Sequence, residues 1–354
     1  MPRQGVLYAL LAAALFGAST PFAKSLLGHT SPLMLAGLLY LGSGLGLLAC
    51  WLLRAAASAG AAPPAGLRRA DLPWLGAAVA AGGVAGPVLL MIGLTRTPAS
   101  AASLLLNMEG VFTGVLAWCV FKENFDRRIL LGMAFIVAAG ALLSWEQRPA
   151  FGVPWGALAI LAACLCWALD NNLTRKVSAG DALQIAMIKG LVAGAVNLAA
   201  AFMLGLKLPA TATVLWAGLL GFCGYGLSLV LFVLALRHLG TARTGAYFSA
   251  APFVGAAIAL ALPGETASPY FWLTAALMGA GIWLHVTESH SHAHVHEALE
   301  HDHEHEHDSH HQHAHEGEGE DSGGGKLKHS HRHVHAPLSH AHQHYPDIHH
   351  RHEH

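Results

Sequence analysis

Residues 14–24 read Ala14-Leu15-Phe16-Gly17-Ala18-Ser19-Thr20-Pro21-Phe22-Ala23-Lys24. They close an apolar run of about 20 residues, the length needed to cross a hydrocarbon core of ~30 Å. The arrangement returns later in the chain. Under a shift of 151 residues, Leu10-Leu11-Ala12-Ala13 falls on Leu161-Ala162-Ala163-Cys164 and Phe16 falls on Trp167. Ser19-Thr20-Pro21 falls on Asp170-Asn171-Asn172, and Lys24 on Arg175. A second offset of 142 brings Phe112 onto Val254 and Glu123 onto Glu265. Two membrane segments, each with a counterpart in the other half, predict a duplicated membrane protein.

Working outward with the same window gives ten spans, at approximately 5–23, 32–53, 73–93, 98–121, 128–145, 153–173, 183–205, 211–236, 242–262 and 270–286. Irregular backbone cannot face lipid, so the spanning structure must be a helical bundle. Five spans per half is an odd number, so the second half enters from the opposite face. Such inverted repeats recur in secondary transporters, with the substrate site near the midplane between the halves. The expected fold is therefore an all-α polytopic membrane protein of ten transmembrane helices, in two inverted five-helix repeats, 1–146 and 147–287. A disordered tail, 288–354, follows. The first span resembles a signal peptide in having Arg3, an apolar run and small residues. Its place in the repeat makes a retained structural helix the expectation.

Composition agrees. Of 354 residues, 54% are hydrophobic and 12% charged, against about 25% charged in soluble domains, and the mean hydropathy is +0.46. A soluble enzyme or a wholly disordered chain is excluded. The net charge of −1 is a cancellation between unlike parts: residues 1–287 carry 16 Lys+Arg against 8 Asp+Glu, and the tail 4 against 13. With the N-terminus inside, eleven basic residues flank the spans on the cytoplasmic side and four (Lys24, Arg96, Arg148, Lys207) on the other. That is a positive-inside bias, and ten spans return the C-terminus to the cytoplasm. The expected location is a bacterial inner (plasma) membrane. The five cysteines lie in apolar stretches and read as small packing residues. The pairs Gly42/Gly46, Gly82/Gly86 and Gly190/Gly194 read as close helix contacts.

The residues quoted above resemble the first-helix pattern of the drug/metabolite transporter superfamily, EamA-domain type. So do Thr97-Pro98-Ala99-Ser100-Ala101-Ala102 at the start of span 4, and Lys122-Glu123 at its end. The second half has Leu239-Gly240-Thr241-Ala242, Ala251-Pro252-Phe253 and Gly264-Glu265 in the matching places. The resemblance covers about 5–286 and implies a transporter of small metabolites or drugs, often an exporter. One departure is Gly110, preceded by Glu109, where the pattern has proline in span 4.

Charge at the centre of a span costs about 2.5–3.5 kcal/mol on insertion scales, so each such residue needs a reason. Glu109 in span 4 and Lys189 in span 7 are the two charges clearly at depth. Two roles fit them. They face a polar cavity, binding a charged or zwitterionic solute or carrying a coupling proton, or they form a buried ion pair that locks the bundle. Asp170 closes span 6 as a hydrated helix end or a gate. Asn107, Trp167 and Tyr247 are candidates for the lining of the same cavity.

Of the 26 histidines, 23 lie in the tail. His290, His292, His294 and His296 alternate with other residues, as do His301, His303, His305 and His307, which have carboxylates between them. Imidazole suits Zn, Ni, Co and Cu(II), and interleaved acids favour a dication nearby. The spacing selects no single metal. Full protonation of the 23 imidazoles, each titrating near ~6.5, would take the tail from −9 to +14.

Three functions compete. The first is a secondary transporter, an exporter by what the resemblance implies, of a small organic solute, with a metal-binding regulatory or buffering tail. The second is a divalent transition-metal transporter, against which stands the lack of a His/carboxylate set at one depth in the spans. The third is a membrane-anchored metal sensor or store. No paired carboxylates, nucleophile constellation or phosphate loop points to an enzyme. No cofactor is required. The expected partners are a small-molecule substrate, the lipid bilayer, divalent metal ions at the tail and a second copy in a homodimer; nothing points to nucleic acid.

Overall fold

A computed structural model of the chain describes residues 2–57, 67–121, 127–146, 153–175, 177, 181–239, 241–286, 291–296, 299–305, 329–335 and 338–343. These fall in two compact units, Met1–Glu288 and Ser289–His354.

The first unit is helical. Its helices are α1 (Pro2–Leu27), α2 (Pro32–Ala57), α3 (Leu72–Ala78), α4 (Gly86–Leu94), α5 (Ala99–Leu105), α6 (Met108–Phe121) and α7 (Arg127–Glu146). The second half has α8 (Trp155–Arg175), α9 (Ala182–Met203), α10 (Thr211–Gly221), α11 (Ser228–Leu239), α12 (Thr241–Phe248), α13 (Ala251–Ala261) and α14 (Pro269–Val286). They occupy the ten expected spans. Among the described residues, seven segments are long and apolar enough to cross a membrane. Three shorter apolar helices, Leu130–Trp145, Ala251–Ala261 and Pro269–Leu284, stand at spans 5, 9 and 10. Exposed aromatic residues mark the two ends. Trp145, Trp155, Trp216, Tyr270 and Trp272 stand where odd-numbered spans end or even-numbered spans begin, and Trp74 and Trp283 stand at the other end. That is the distribution of interfacial aromatic belts.

The two halves repeat their irregularities. Spans 3 and 8 each pass through a π-helical segment, Val79–Ala85 between α3 and α4 and Phe222–Leu227 between α10 and α11. Spans 4 and 9 are each broken, at residues 106–107 and 249–250. In span 9 the cause is Pro252 in the first turn of α13, which has no N–H to give to a helix continuing from α12. Span 4 has Gly110 there and still breaks at the equivalent place. Its turn is closed by three-residue bonds, Glu109 N to Leu106 O at 3.1 Å and Gly110 N to Asn107 O at 3.2 Å. The Asn107 amide donates to Leu104 O at 3.1 Å, so a side chain competes with the helix ladder for its own backbone.

Small residues set the packing, as the sequence predicts. Gly190 and Gly194 bring α9 onto α2, where a Cβ on Gly190 would come within 2.6 Å of Gly44 N. Gly42 brings α2 onto Gly218 of α10. All five cysteines are free thiols.

In the second unit, β1 (Ser291–His296) pairs antiparallel with β4 (Leu338–Gln343), and β2 (Leu299–His305) with β3 (His329–His335). The sequence predicts no regular structure here. The His-x-His alternation has the two-residue period of a strand, which explains the pairing. A two-stranded ladder alone is marginal in water, in keeping with a polar segment that has too few apolar residues for a core.

Candidate functional site

The site is built around α8. Residues four apart on a helix share a face, so Asp170 and Thr174 point the same way while Asn171 lies about 100° round. On the first face Lys189 of α9 donates to both Asp170 oxygens, at 2.6 and 2.7 Å, and to Thr174 Oγ1 at 3.2 Å. Thr174 Oγ1 also donates to Asp170 Oδ1 at 2.8 Å. Asp170 and Lys189 are both 6% exposed. A buried charge is tolerated only when paired and hydrogen-bonded, and this pair meets both conditions. It rests on the other half of the protein: a Cβ on Gly82 would stand 2.0 Å from Asp170 Oδ2.

The π-helical segment beneath it exposes carbonyls that an α-helix would use internally. Gly82 O accepts from Tyr40 Oη at 2.8 Å and from Trp167 Nε1 at 2.9 Å. Gly83 O accepts from Asn197 Nδ2 at 3.2 Å. Spans 2, 6 and 7 thus all hydrogen-bond to one irregular turn of span 3.

Asn171, on the adjacent face of α8, donates to Glu109 Oε1 at 2.8 Å. Glu109 lies in the first turn of α6, immediately after the break in span 4, and is partly exposed. The sequence leaves open whether Glu109 and Lys189 bind each other. In the structure Lys189 takes Asp170 and Glu109 takes Asn171. Two carboxylates therefore meet consecutive residues of α8, and the one ammonium is bound to Asp170.

Aromatic rings fill the space next to this turn. Phe16 of α1 lies 6.1 Å from Trp167, 5.9 Å from Tyr225 and 5.6 Å from Phe248 between ring centres. Tyr40 lies 5.4 Å from Tyr225. The buried Tyr225 hydroxyl faces Ser19, whose own hydroxyl donates to Phe16 O at 2.6 Å. Of this group the sequence singles out Trp167 alone. The available signals for the others were the repeat, which lays Phe16 on Trp167, and the glycine cluster that surrounds Tyr225.

The remaining sequence candidates are placed as follows. Asn107 is buried, with its amide on Leu104 O and 3.6 Å from Met278 Sδ. Tyr247 is half-buried on α12, and its carbonyl accepts from Ala250 N at the break in span 9. His292, His294 and His296 lie on β1, and His301, His303 and His305 on β2. His290 and His307 lie outside the described residues. The backbone register sets His294 opposite His340 and His303 opposite His331. Among the described residues no three His, Cys, Asp or Glu side chains gather as a metal site.

A second polar cluster joins motif pieces from both halves. Glu265, after α13, accepts from Ala99 N and from Ser100 N, the latter at 2.9 Å. Lys24, near the end of α1, donates to Thr97 O. The ends of spans 1, 4 and 9 are held together there.

The profile of the EamA-like transporter family matches residues 3–145 and again 154–287. Among curated proteins, the chain is 28% identical over 208 residues to an uncharacterized transporter of Methanothermobacter thermautotrophicus, covering 57% of this chain and 60% of that one. It therefore spans about three fifths of that relative's length. It is 27% identical over 258 residues to the uncharacterized inner membrane transporter YedA of Escherichia coli, covering 70% and 79%. A solved crystal structure, 18% identical, superposes with a TM-score of 0.58 over 79% of this chain and 94% of that chain, a likeness of fold alone.

Proposed function

We propose a function from one premise: the chain belongs to the EamA-like transporter family. It is an integral membrane transporter. Our reading is that it is a secondary transporter that exports a small organic metabolite or drug by alternating access. The observation that carries it is the matched pair of irregular spans. π-Helical segments in spans 3 and 8, and breaks in spans 4 and 9, give each half the same points of bending around a charged, aromatic centre. Broken helices at the interface of inverted repeats are where transporters bind substrate and change access.

Within that reading Glu109 is the reactive carboxylate. Asp170 is neutralised by Lys189, whereas among the described residues Glu109 is met by a neutral amide from Asn171. An uncompensated carboxylate suits an amino group on the solute, or a coupling proton. Asp170, Lys189 and Trp167 shape the wall beside it, and Asn107 and Tyr247 hold the two helix breaks. Both termini are cytoplasmic, the membrane is a bacterial inner membrane, and the His-rich tail binds Zn, Ni, Co or Cu ions in a buffering or regulatory role.

The test is flux in proteoliposomes without metal, screening amines, amino acids and neutral metabolites, with wild type beside Glu109→Gln. A solute whose flux falls sharply in the variant supports the assignment. Unchanged flux of every transported solute refutes the role of Glu109, and absence of any flux counts against transport of these solutes.

A further inference from the structure

Between α4 and α8 the surface opens into a cleft of about 400 Å³, lined by Leu89, Ile92, Arg96, Trp155, Leu158 and Ala159. The two helices touch at its floor, where a Cβ on Gly93 would come within 2.5 Å of Ile160 Cγ1 and 2.9 Å of Gly156 O. Leu89 to Arg96 is seven residues, so the cleft runs ~10 Å down the bundle at 1.5 Å per residue. Its walls are aliphatic, and Ile92 and Leu158 are both more than 40% exposed. Its mouth has two residues of another kind, Arg96 and Trp155, both exposed.

Arg96 brings a positive charge to that mouth. Among the described residues, none gives its guanidinium a hydrogen bond or an ion pair. Residues 72–108 and 149–169 contain neither Asp nor Glu, and Glu265, which holds Ala99 N and Ser100 N a few residues on, makes no ion pair with Arg96. A tryptophan beside an unpaired arginine, above an aliphatic slot, places the headgroup level of the bilayer at the mouth and hydrocarbon below it. Inside the membrane such a slot is filled by acyl chain. The charge at its mouth selects the headgroup, because a guanidinium binds phosphate through paired N–H donors.

We infer that the α4–α8 cleft is a binding site for an anionic phospholipid, with one acyl chain between Leu89, Ile92, Leu158 and Ala159 and the phosphate on Arg96 beside Trp155. A second copy of the chain is a poorer occupant. A two-fold contact centred here would bring Arg96 against its own counterpart, and like charges at an interface oppose association. The site is separate from the charged centre around Asp170 and Glu109, and it does not depend on what the protein carries.

The test uses the purified full-length protein, stripped of lipid and supplied with phosphatidylglycerol or phosphatidylcholine, with binding read by native mass spectrometry and by melting temperature. Wild type is expected to prefer phosphatidylglycerol, and Arg96→Gln to lower that affinity about fivefold, the factor for one basic residue at an anionic surface. Its melting temperature in phosphatidylcholine should stay at the wild-type value, which separates lost lipid from lost fold. Ala159→Phe fills the slot and should weaken binding of both lipids. Phosphatidylglycerol binding unchanged in Arg96→Gln and in Ala159→Phe would overturn the proposal. So would inorganic phosphate alone raising the melting temperature through Arg96 as far as the lipid does, since the ligand would then be a free anion. Dimers lost in Arg96→Gln with lipid binding unaltered would assign the cleft to a second copy instead.

Discussion

Gly82 and Gly224 stand 142 residues apart at the same place in the two inverted halves, each inside the π-helical segment of its span. Each is pressed against the other half. A Cβ on Gly82 would meet Asp170 at 2.0 Å, and one on Gly224 would meet Ser19 Cβ at 2.6 Å. Asp170 and Ser19 are themselves equivalents under the 151-residue shift. The same contact is thus made twice across the interface, once with a neutral hydroxyl and once with a carboxylate. Glu109 follows the rule, for its equivalent under the 142-residue shift is Ala251, which lies on Gly17 of α1. The backbone is symmetric and the charge is not. In the proposed function the solute contacts lie where that residue symmetry fails.

Substituting these glycines should be costly. Asp170 is pinned by Lys189 and Thr174, so it cannot swing away from a new methyl group. Gly82→Ala is expected to lower stability by about 1–3 kcal/mol, the range for overpacking a well-filled site. Gly110→Ala is the control, since a Cβ there meets nothing within 4 Å; with Gly about 1 kcal/mol poorer than Ala in a helix, it should be neutral or stabilising. Thermal unfolding in one detergent ranks the three proteins. Equal destabilisation by both substitutions would contradict the packing described here.

The Asp170–Lys189 pair makes a prediction about doubles. Removing one partner leaves a buried charge alone, at a cost of about 3–5 kcal/mol. Lys189→Met and Asp170→Leu should each approach that loss. The double variant should recover most of it, because an apolar pair of similar volume removes both charges together. A double variant as unstable as the sum of the singles would show that the two residues act separately.

Much of this arrangement could be read from residues alone, and what could not has a physical reason. Span number follows from apolar length, and the inverted repeat from two offsets, since both depend on composition along one dimension. The π-helical segments escape such a reading, because a shift from i→i+4 to i→i+5 bonding leaves no pattern beyond Gly82-Gly83 and Gly224. The partner of Lys189 was equally hidden. Asp170 lies 19 residues earlier on another helix, at a position that reads as a hydrated end, and only packing of α8 on α9 decides which carboxylate faces the ammonium. Lys24, Thr97 and Glu265 are visible as separate motif pieces, but their meeting at one point needs the fold.

Glu265 should hold the two halves together at that point. Its carboxylate accepts from two backbone N–H groups at the start of α5, where a negative charge is favoured. Glu265→Ala is expected to cost about 1–2 kcal/mol, in line with loss of a helix cap. Glu265→Gln retains an acceptor oxygen and should lose less. Melting temperatures of the two variants check the order, and the reverse order would assign Glu265 another role.

Glu109→Gln separates function from fold. The amide oxygen of glutamine can still accept from Asn171 Nδ2, so the contact at 2.8 Å survives and the unfolding free energy should stay within about ±0.5 kcal/mol, the range typical of benign changes. What is lost is the negative charge. Flux of a cationic or zwitterionic solute, or its dependence on a proton gradient, should fall by about tenfold or more, since one charge-assisted bond of ~1.5–3 kcal/mol is removed. A loss of flux accompanied by equal unfolding would return Glu109 to a structural role.

The tail can be tested apart from the bundle. Metal binding requires deprotonated imidazole, so calorimetric Zn or Ni binding by the full chain should weaken as pH falls through ~6.5, and be lost on deletion of 288–354. Transport by the deleted protein, measured without metal, should equal that of the full chain. The reason is placement. The charges at the proposed centre come from α6, α8 and α9, while 23 of the 26 histidines follow the last helix. Flux that disappears with the tail, and returns when the tail is supplied with metal, would instead make the metal part of the transport cycle.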